Sequence, residues 1–346
     1  MPFGDAFLRA CRREPVTRTP IWFMRQAGRS LPEYRALRAK GSILDAISSP
    51  EIAAELTMQP VRRYGVDAAI LFSDIVVPLV AIGVDIEILP GRGPVLAAPF
   101  RHDDDLSRLR PIEPEVDLAH VLDTITILAS ELDVPLIGFA GAPFTLASYL
   151  VEGGSSRTFG LTKSLMHSEP ATWHALVDRL AAICLASLRA QVKAGASAIQ
   201  LFDSWAGTLS PSDYAEFALP ASTFILEGLA DLHVPRIHFG VGTGELLGLM
   251  ARAGADVVGV DWRVPLPLAA ARVGPDVALQ GNLDPAVCLA PTRVVREAAG
   301  KVMNEAAGLS GHIFNLGHGV LPETDPDTLK AVVDLVHATS AARDTE

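Results

Sequence analysis

Short apolar runs recur along the chain and alternate with longer segments of helical periodicity. The runs are almost continuously hydrophobic, which is typical of parallel strands buried on both faces. Eight such runs can be distinguished, at residues 20–24, 67–72, 134–140, 196–202, 234–240, 256–261, 276–282 and 312–317. The pattern therefore predicts eight buried strands that run parallel to one another.

The segments between these runs carry the signals of α-helices. Ser49, Pro50 and Glu51 are typical of a helix start, because they supply a cap, a first-turn proline and an early acid. Gly195, directly before a predicted strand, is typical of a helix end. The predicted helices follow Ser49 and cover residues 114–132, 169–195 and 245–254.

Alternating strands and helices without a linker rich in Pro, Gly or Ser predict one domain over residues 1–346. We expect a single (β/α)8 TIM barrel with its active-site cleft at the carboxyl ends of the strands. The alternative, an open Rossmann-like sheet, needs a GxGxxG motif after the first strand, whereas the nearest match, GVGTG, lies at 240–244. Residues 88–100 are predicted to leave the barrel as a small hairpin around Gly91 and Gly93.

Composition excludes several classes of protein. Hydrophobic residues make up 49% of the chain, too many for a disordered protein, and no apolar run approaches the roughly 20 residues of a transmembrane helix. The first residues lack the apolar core of a secretory signal, and three scattered cysteines are typical of a reducing compartment. We therefore expect a cytoplasmic protein without membrane insertion.

The charge of the chain is unevenly distributed. The net charge of −11 argues against nucleic acid as a partner. Residues 1–40, however, contain nine Lys and Arg residues against three acids, a local balance of +6. This basic segment could attract an anionic ligand. The alternative is a solvated surface helix, which best accounts for Arg9, Arg12 and Arg13.

Polar residues and glycines follow nearly every predicted strand, at the end where a barrel places its active site. Arg25 and Arg29 come after the first strand and carry the donor geometry that recognises carboxylates or phosphates in pairs of hydrogen bonds. Gly28 between them allows the backbone to approach a ligand closely. The alternative is a solvent-facing arginine pair.

Four further candidates lie at the later strand ends, and each has a structural alternative. Asp74 stands between two apolar runs and is either an ion-paired carboxylate or an acceptor for several N–H donors. Tyr149 is either a core residue or a site residue, and Ser204 is either a helix cap together with Asp203 or a site residue. His318 lies between two glycines that suggest close ligand approach, and it is either a local hydrogen-bonding group or an acid.

Metal and nucleophile chemistry find little support in the sequence. There is no HExxH motif, and no cysteine accompanies a histidine at a predicted strand end. Ser204 does not lie in a GxSxG elbow. Asp261, in the segment VDWR, is interpreted as a partner for an arginine of the barrel.

Together these segments resemble the uroporphyrinogen decarboxylase family. PIWFMRQAGRSLPEY at 20–34 is similar to the signature of that family, and its RQAGR block is highly specific. FSD (72–74), GAPFTLASYL (141–150), LFDSWAG (201–207), VDWR (260–263), QGNLDP (280–285) and NLGHGVLPET (315–324) also resemble family segments, in the same order. The resemblance covers essentially the whole chain.

The resemblance implies a homodimer of barrels that converts uroporphyrinogen III to coproporphyrinogen III, removing four acetate carboxyl groups without a metal or organic cofactor. It places Asp74 at the centre of the macrocycle as a catalytic residue, with Arg25, Tyr149 and His318 as further catalytic candidates. The residues that it places around the substrate are Arg25, Gln26, Ala27, Gly28, Arg29, Asp74, Tyr149, Phe202, Ser204 and His318.

Elementary chemistry agrees with this assignment. Loss of CO2 from a pyrrole acetate needs an electron sink, which protonation of the ring supplies by making it cationic, and one carboxylate can stabilise that cation. The proton donor stays open between Arg25, Tyr149, His318, water and a substrate carboxyl, because a guanidinium is generally a weak acid with a pKa above about 12.

Two other functions remain as alternatives. One is a zinc-dependent methyltransferase of the same barrel superfamily that acts with a corrinoid protein and a thiol and typically uses a His-x-Cys motif. His238 is instead followed by Phe239 and Gly240, and no cysteine of this chain is suitably placed. The other alternative is a tetrapyrrole carrier that binds its ligand without releasing CO2.

Overall fold

The protein is described by a computed structural model that covers residues 5–38, 41–89 and 91–343, with side chains to residue 339. Lys40 of the basic segment and Pro90 of the predicted hairpin lie outside these residues, as do both ends of the predicted domain, 1–4 and 344–346.

Within the described residues, seven strands form one all-parallel sheet, in the order β1, β4, β5, β6, β7, β8 and β9. Two further strands, β2 and β3, pair antiparallel and form a separate hairpin. These strands are β1 (Ala69–Ile70), β2 (Ile86–Leu89), β3 (Gly93–Leu96), β4 (Leu136–Gly141), β5 (Ala198–Asp203), β6 (Arg236–Gly240), β7 (Val257–Gly259), β8 (Ala278–Gln280) and β9 (His312–Ile313).

Helices connect consecutive strands, as a parallel sheet requires. They are α1 (Ala6–Cys11), α2 (Pro32–Leu37), α3 (Ile43–Ile47), α4 (Pro50–Tyr64), α5 (Val77–Ala81), α6 (Pro114–Asp117), α7 (Ala119–Glu131), α8 (Pro143–Glu152), α9 (Gly160–Ser168), α10 (Pro170–Ala194), α11 (Pro211–Phe217), α12 (Leu219–Glu227), α13 (Leu247–Arg252), α14 (Leu266–Val273), α15 (Thr292–Glu305) and α16 (Pro326–Arg343). Short 3-10 turns occupy Asp103–Arg108, Ala206–Thr208, Ala230–Leu232, Gly244–Leu246 and Pro285–Leu289.

Seven of the eight predicted strands are present, although several are shorter than the apolar runs that predicted them. The run at 67–72 forms only the two-residue strand β1, and the run at 312–317 forms only β9. The predicted hairpin is confirmed by β2 and β3, whose connection places Gly91 and Gly93 in left-handed conformations. Hydrophobic runs thus located the strands and overestimated their length.

The prediction of a first strand at residues 20–24 was wrong, because these residues do not form a regular strand. Ile21 makes only an isolated parallel bridge to Phe314, just after β9. The Phe314 N–H donates to the Pro20 oxygen at 2.8 Å, and on the other side the Asp67 N–H donates to the Ile21 oxygen at 2.8 Å. The segment therefore contacts both edges of the seven-stranded sheet without joining either edge as a full strand.

The predicted helices are present with small corrections. Ser49 is the N-cap of α4 and Pro50 is its first residue, but the Ser49 side chain makes no capping hydrogen bond. The predicted helix at 114–132 is interrupted at Leu118, and the one at 245–254 begins as a 3-10 turn. Gly195 ends α10 with a φ of 129°, a conformation that favours glycine.

A chain of buried side-chain hydrogen bonds crosses the interior of the sheet. The Trp22 indole N–H donates to the Gln280 oxygen at 3.0 Å, and the Gln280 amide donates to the Gln200 oxygen at 2.9 Å. All three side chains are almost completely buried. Since buried polar groups need partners, these bonds fix the first segment, β8 and β5 relative to one another.

One connected cluster of buried apolar side chains extends from Phe7 in α1 to Val336 in α16. Within the described part of the chain, no helix is both long enough and apolar enough to span a bilayer. The basic residues of α1 and its flank lie away from the strand ends that carry Arg25. Arg9 pairs with Glu14, and Arg13 pairs with Asp276, which precedes β8.

Asp67 joins three parts of the fold beneath the sheet. This buried carboxylate accepts hydrogen bonds from the Ile21 N–H at 2.9 Å, from Arg18, and from His337 of α16 at 2.8 Å. The first segment, the start of β1 and the last helix therefore meet at one side chain.

We predict that Asp67→Ala destabilises the protein by about 3 kcal/mol, because it leaves the buried Ile21 N–H, the Arg18 guanidinium and the His337 ring without their acceptor. Thermal or urea unfolding measures the effect. Asp276→Ala, which removes an exposed partner of Arg13, serves as the matched control and leaves the melting temperature within error. Equal effects of the two substitutions would contradict the prediction.

Candidate active site

Arg25 begins the site and holds an unusual backbone conformation. Its φ is 59°, in the left-handed region that a non-glycine residue seldom adopts. The turn is closed by a hydrogen bond from the Gln26 N–H to the Phe23 oxygen at 3.1 Å. The Arg25 residue is exposed at the end of the first segment. Strain of this kind is concentrated at functional sites.

Gln26 supports this turn from beneath and does not face solvent. Its side chain is fully buried, its oxygen accepts the Phe23 N–H at 3.1 Å, and its Nε2 donates to the Ala68 oxygen at 3.2 Å. Gln26 therefore ties the Arg25 turn to the start of β1. The structure assigns its side chain a positioning contact rather than an open face toward a ligand.

Gly28 and Arg29 complete the predicted loop. A Cβ on Gly28 would lie 3.0 Å from the Arg25 oxygen, which is tighter than ordinary packing, so the turn favours glycine. Arg29 is exposed, and its carbonyl accepts a hydrogen bond from Arg35 at 2.6 Å. Ala27 is half-buried against the core. Two cationic side chains thus project from a loop whose backbone is held in place.

Asp74 follows β1 and is half-buried. Its Oδ1 accepts the Val76 N–H at 3.1 Å, and among the described residues no cation lies within ion-pair distance of it. Burial raises the pKa of this carboxyl above its usual value, against the Val76 hydrogen bond and the charge of Arg25, which lower the pKa. The structural alternative of an ion-paired Asp74 is therefore absent.

Tyr149 lies on α8 and stacks on Trp205, with ring centroids 3.9 Å apart and planes inclined by 35°. Burial, and then the charge of Asp74, raise its pKa to about 12, while Arg25 opposes the shift. Tyr149 is therefore a protonated phenol at neutral pH and a hydrogen-bond donor. The charges of Asp74 and Arg25 both act on the pKa of Tyr149, so the three side chains belong to one electrostatic cluster.

A buried hydrogen-bond network connects α8 to the turn after β5. Thr145 donates to Asp203 at 2.9 Å, and its Oγ1 accepts the Trp205 N–H at 3.3 Å. Trp205, and not Ser204 or Asp203, is the N-cap of the following 3-10 turn, so the helix-cap alternative for Ser204 was wrong. Ser204 is half-buried next to the tryptophan that packs on Tyr149.

An aromatic row leads from Phe202 to His318. Phe202 packs edge-on against Phe139 at 5.4 Å and against Phe239 at 5.9 Å, measured between ring centroids. Phe239 in turn contacts the His318 ring at 6.3 Å. These side chains come from β4, β5, β6 and the loop after β9, so the row lines one side of the strand ends.

His318 is a neutral imidazole with a defined donor. Its Nδ1 accepts the Gly319 N–H at 2.6 Å, so the proton of the neutral ring resides on Nε2. Burial, and then the charges of Arg25 and Arg263, lower the pKa of His318 to about 4. At neutral pH His318 is therefore an uncharged ring whose Nε2–H can donate a hydrogen bond.

The glycines on either side of His318 serve close packing between protein segments. A Cβ on Gly317 would overlap the backbone nitrogen of Trp262, and a Cβ on Gly319 would overlap the Arg25 side chain. The sequence interpretation had assigned this space to a ligand. The packing instead holds His318 between the Arg25 turn and the loop after β7.

Arg263 is a cation of the site that the sequence interpretation missed. It lies after β7, and its Nη1 donates to Asp261 at 2.7 Å. The Asp261 prediction, an arginine partner, is thereby confirmed. The sequence did offer a signal, because the polar segment VDWR follows a predicted strand. Interpreting Asp261 as the partner of an arginine, however, assigned the segment a structural role and drew attention away from Arg263.

The site thus combines exposed guanidinium groups, one carboxylate without an ion pair and two neutral donors, Tyr149 and His318. Such a set suits a polyanionic ligand that carries N–H groups near its centre. Among the residues described, no three or more His, Cys, Asp and Glu side chains are grouped as metal ligands would be. His238 is fully buried and lies 3.9 Å from Asp203.

We predict that Asp74→Asn stabilises the protein without ligand at pH 7. The folded-state pKa of Asp74 is raised, so ionisation opposes folding, and wild-type stability decreases as the pH rises through that pKa. The neutral amide removes this penalty, and the melting temperature rises by about 1–2 °C. The gain shrinks as the pH falls.

Asp261→Asn is the matched control, because Asp261 accepts hydrogen bonds from Arg263 and Gly242 and its loss lowers the melting temperature. A melting temperature of Asp74→Asn below that of the wild type at pH 7 would contradict the assignment of Asp74 as an uncompensated charge.

Comparison with solved structures supports the fold. A methyltransferase from Methanosarcina mazei superposes with a TM-score of 0.80, covering 98% of this chain and 99% of its own. Its sequence is only 18% identical, so the likeness concerns the fold alone.

Comparison of sequences identifies the family. The family model described as uroporphyrinogen decarboxylase (URO-D) matches residues 3–339. A protein from Streptomyces griseus named uroporphyrinogen decarboxylase is 63% identical, covering 97% of this chain and 92% of its own length. One of the same name from Streptomyces coelicolor is 61% identical, covering 97% and 94%. The chain belongs to the uroporphyrinogen decarboxylase family.

Proposed function

We propose that the protein is an enzyme that removes the four acetate carboxyl groups of uroporphyrinogen as CO2 and so produces coproporphyrinogen. The observation that carries this proposal is Asp74, a carboxylate without an ion pair, next to Arg25 and Tyr149 at the strand ends. The relatives named uroporphyrinogen decarboxylase support the same substrate.

Asp74 would act as the acceptor for the pyrrole N–H groups. Four such groups of the flexible, reduced macrocycle can converge on one carboxylate, and Asp74 has acceptor sites left beyond the Val76 hydrogen bond. Its charge stabilises the cationic ring of the transition state more than the neutral ring of the substrate. Asp74 thereby lowers the barrier without bonding covalently to the substrate.

Each of the four decarboxylations proceeds through a protonated pyrrole ring. A proton adds to a ring carbon and makes the pyrrole cationic, and the bond between the acetate methylene and its carboxylate then breaks. The electron pair of that bond neutralises the ring, and CO2 leaves. A second proton converts the exocyclic methylene to a methyl group while the ring carbon loses the first, so each round consumes one proton.

The protein side chains bind and orient rather than supply strong acids. Tyr149, with a pKa of about 12, and His318, with a pKa of about 4, are both neutral hydrogen-bond donors at pH 7. Arg25 and Arg29 bind substrate carboxylates by charge-assisted hydrogen bonds. The site proton in this account comes from water or from a substrate carboxyl.

The aromatic row and Ser204 complete the proposed pocket. Phe202 presents a flat apolar wall to a pyrrole ring, in line with its two edge-on aromatic neighbours. Ser204 offers a hydroxyl next to Trp205, and Ala27 and Gly28 allow the macrocycle to approach the Arg25 loop. Gln26 acts through its position beneath that loop.

We further infer that the segment at 20–24 closes the sheet into a (β/α)8 barrel that forms a single domain. The hydrogen bonds from Phe314 and Asp67 to this segment support closure, and the continuous core supports one domain. The homodimer and the cytoplasmic location expected from the sequence stay predictions, and light scattering of the purified protein tests the first.

The methyltransferase alternative is supported only by the similarity in fold to the Methanosarcina mazei methyltransferase. Its zinc chemistry would need ligands that the described residues do not group together. Stoichiometric zinc on which activity depends would overturn the decarboxylase proposal. A tetrapyrrole carrier, in contrast, would bind uroporphyrinogen and return it unchanged.

We predict that Asp74→Gly reduces turnover of uroporphyrinogen at least about 100-fold, because the charge that stabilises the cationic ring is lost. An anaerobic assay that resolves products with seven, six, five and four carboxylates measures the loss. Asp133→Gly, an exposed acid outside the site, is the control and retains activity. A folded Asp74→Gly variant with near wild-type turnover would refute the role.

We predict that Arg25→Gln moves the acid limb of kcat/KM to higher pH. The charge of Arg25 lowers the pKa of Asp74, so its removal raises that pKa and the active, ionised form is lost earlier on acidification. The free substrate has the same pKa values in both assays, so only an enzyme group can shift the limb.

His318 responds to Arg25 in the same direction, so the comparison is repeated in a His318→Asn background. If Arg25→Gln leaves the acid limb of kcat/KM at the same pH, both in the wild type and in the His318→Asn variant, the electrostatic coupling of Arg25 and Asp74 is contradicted.

A further inference from the structure

Arg263 occupies the rim of the site at the end of β7, several strands away from the Arg25 turn along the sheet. Its side chain is 52% exposed although it is bonded to the buried Asp261. Among the described residues, the side-chain hydrogen bond to Asp261 engages one nitrogen, Nη1. The Nε and Nη2 donors of the guanidinium are therefore available to a ligand.

The loop that carries Arg263 is held rigidly. Asp261 accepts the Arg263 N–H at 2.9 Å and also the Gly242 N–H. The Asn282 side-chain amide donates to the backbone oxygen of Asp261 at 3.0 Å and to that of Val264 at 2.7 Å, on both sides of Arg263. The backbone at Arg263 is thus fixed by side chains from two neighbouring strand ends.

The guanidinium plane is fixed as well. Its central carbon lies 4.0 Å from the centroid of the Trp262 ring, a cation–π contact. Stacking and the Asp261 bond together restrict the rotamers of a long side chain. A guanidinium that is ordered before binding loses less conformational entropy when it binds a carboxylate.

The loop that carries Arg263 and the turn that carries Arg25 pack against the two chain neighbours of His318. Gly317 packs on the backbone of Trp262, and Gly319 packs on the Arg25 side chain. The charges of both arginines act on the His318 ring. The charge of Arg25 also lowers the pKa of Asp74 and of Tyr149.

We propose that Arg263 is a third substrate-binding arginine, beside Arg25 and Arg29, and that it binds a propionate carboxylate of the macrocycle near His318. This inference rests on the proposed function. A strong ion pair to the reacting acetate would stabilise the ground state, whereas a carboxylate that never reacts can be held through the whole reaction. Only the propionates of uroporphyrinogen persist through all four decarboxylations.

The test is Arg263→Gln, assayed anaerobically with uroporphyrinogen and with coproporphyrinogen as a product inhibitor. Loss of a charge-assisted hydrogen bond raises KM about tenfold and leaves kcat within about twofold, because the bond is equally strong in ground and transition states. The inhibition constant of coproporphyrinogen rises by a similar factor, since the product keeps its propionates. Arg263→Lys, which keeps the charge, recovers part of the loss.

Arg62→Gln is the matched control, because Arg62 is a similarly exposed arginine in an ion pair with Glu55 on α4. It leaves both constants unchanged. A purely structural Arg263 would lower the melting temperature without changing KM, and this result would overturn the proposal. A raised KM with unchanged product inhibition would mean that Arg263 binds an acetate, which also overturns it.

The assay of the wild-type protein distinguishes failure of this inference from failure of the proposed function. If the wild type releases no CO2 from uroporphyrinogen, both are overturned. If the wild type is active and Arg263→Gln retains its KM, only the role of Arg263 is lost.

Discussion

The Val76 amide donates a hydrogen bond to Asp74, and the charge of Arg25 acts on this carboxylate although no ion pair to it is found among the described residues. A carboxylate in a partly dehydrated position is unfavourable unless it finds donors or a cation. In the proposed reaction, a reduced tetrapyrrole would meet this requirement twice, first through its N–H groups and then through the positive charge that develops during decarboxylation. The remaining features of the site can be understood as ways of keeping this carboxylate ionised, accessible and correctly placed.

Placement depends on buried polar contacts beneath the site. Gln26 ties the Arg25 turn to the start of β1, and Thr145 ties α8, with Tyr149, to the turn after β5. The side chains of Gln26 and Thr145 are fully buried, and they set the geometry of the site residues around them. The two glycines beside His318 act similarly, because they allow three chain segments to pack without side chains between them. A rigid frame of this kind is what electrostatic stabilisation of a transition state requires.

Much of the fold could be predicted from the sequence, because buried parallel strands are marked by continuous apolar runs. Seven of the eight runs contain strands, and glycines marked the hairpin correctly. Residues 20–24 carry the same apolar signal, but only an isolated bridge forms there, since hydrophobicity does not specify hydrogen-bond register. Single-residue orientation was harder to predict. Gln26 lies inside the RQAGR block and points into the core, because the left-handed turn at Arg25 sets its direction and no pattern signals that turn. Arg263 was overlooked because an acid and a base two residues apart resemble a surface ion pair.

The central claim is that this site removes four carboxyl groups from one macrocycle with its own side chains. The most direct test supplies the metal-stripped protein with uroporphyrinogen labelled in its acetate carboxyl groups, without oxygen, and measures labelled CO2 per macrocycle. The account predicts four molecules of CO2 for each coproporphyrinogen formed, at a rate that added zinc leaves unchanged. Binding of the macrocycle without labelled CO2, or release that depends on added metal, would contradict it.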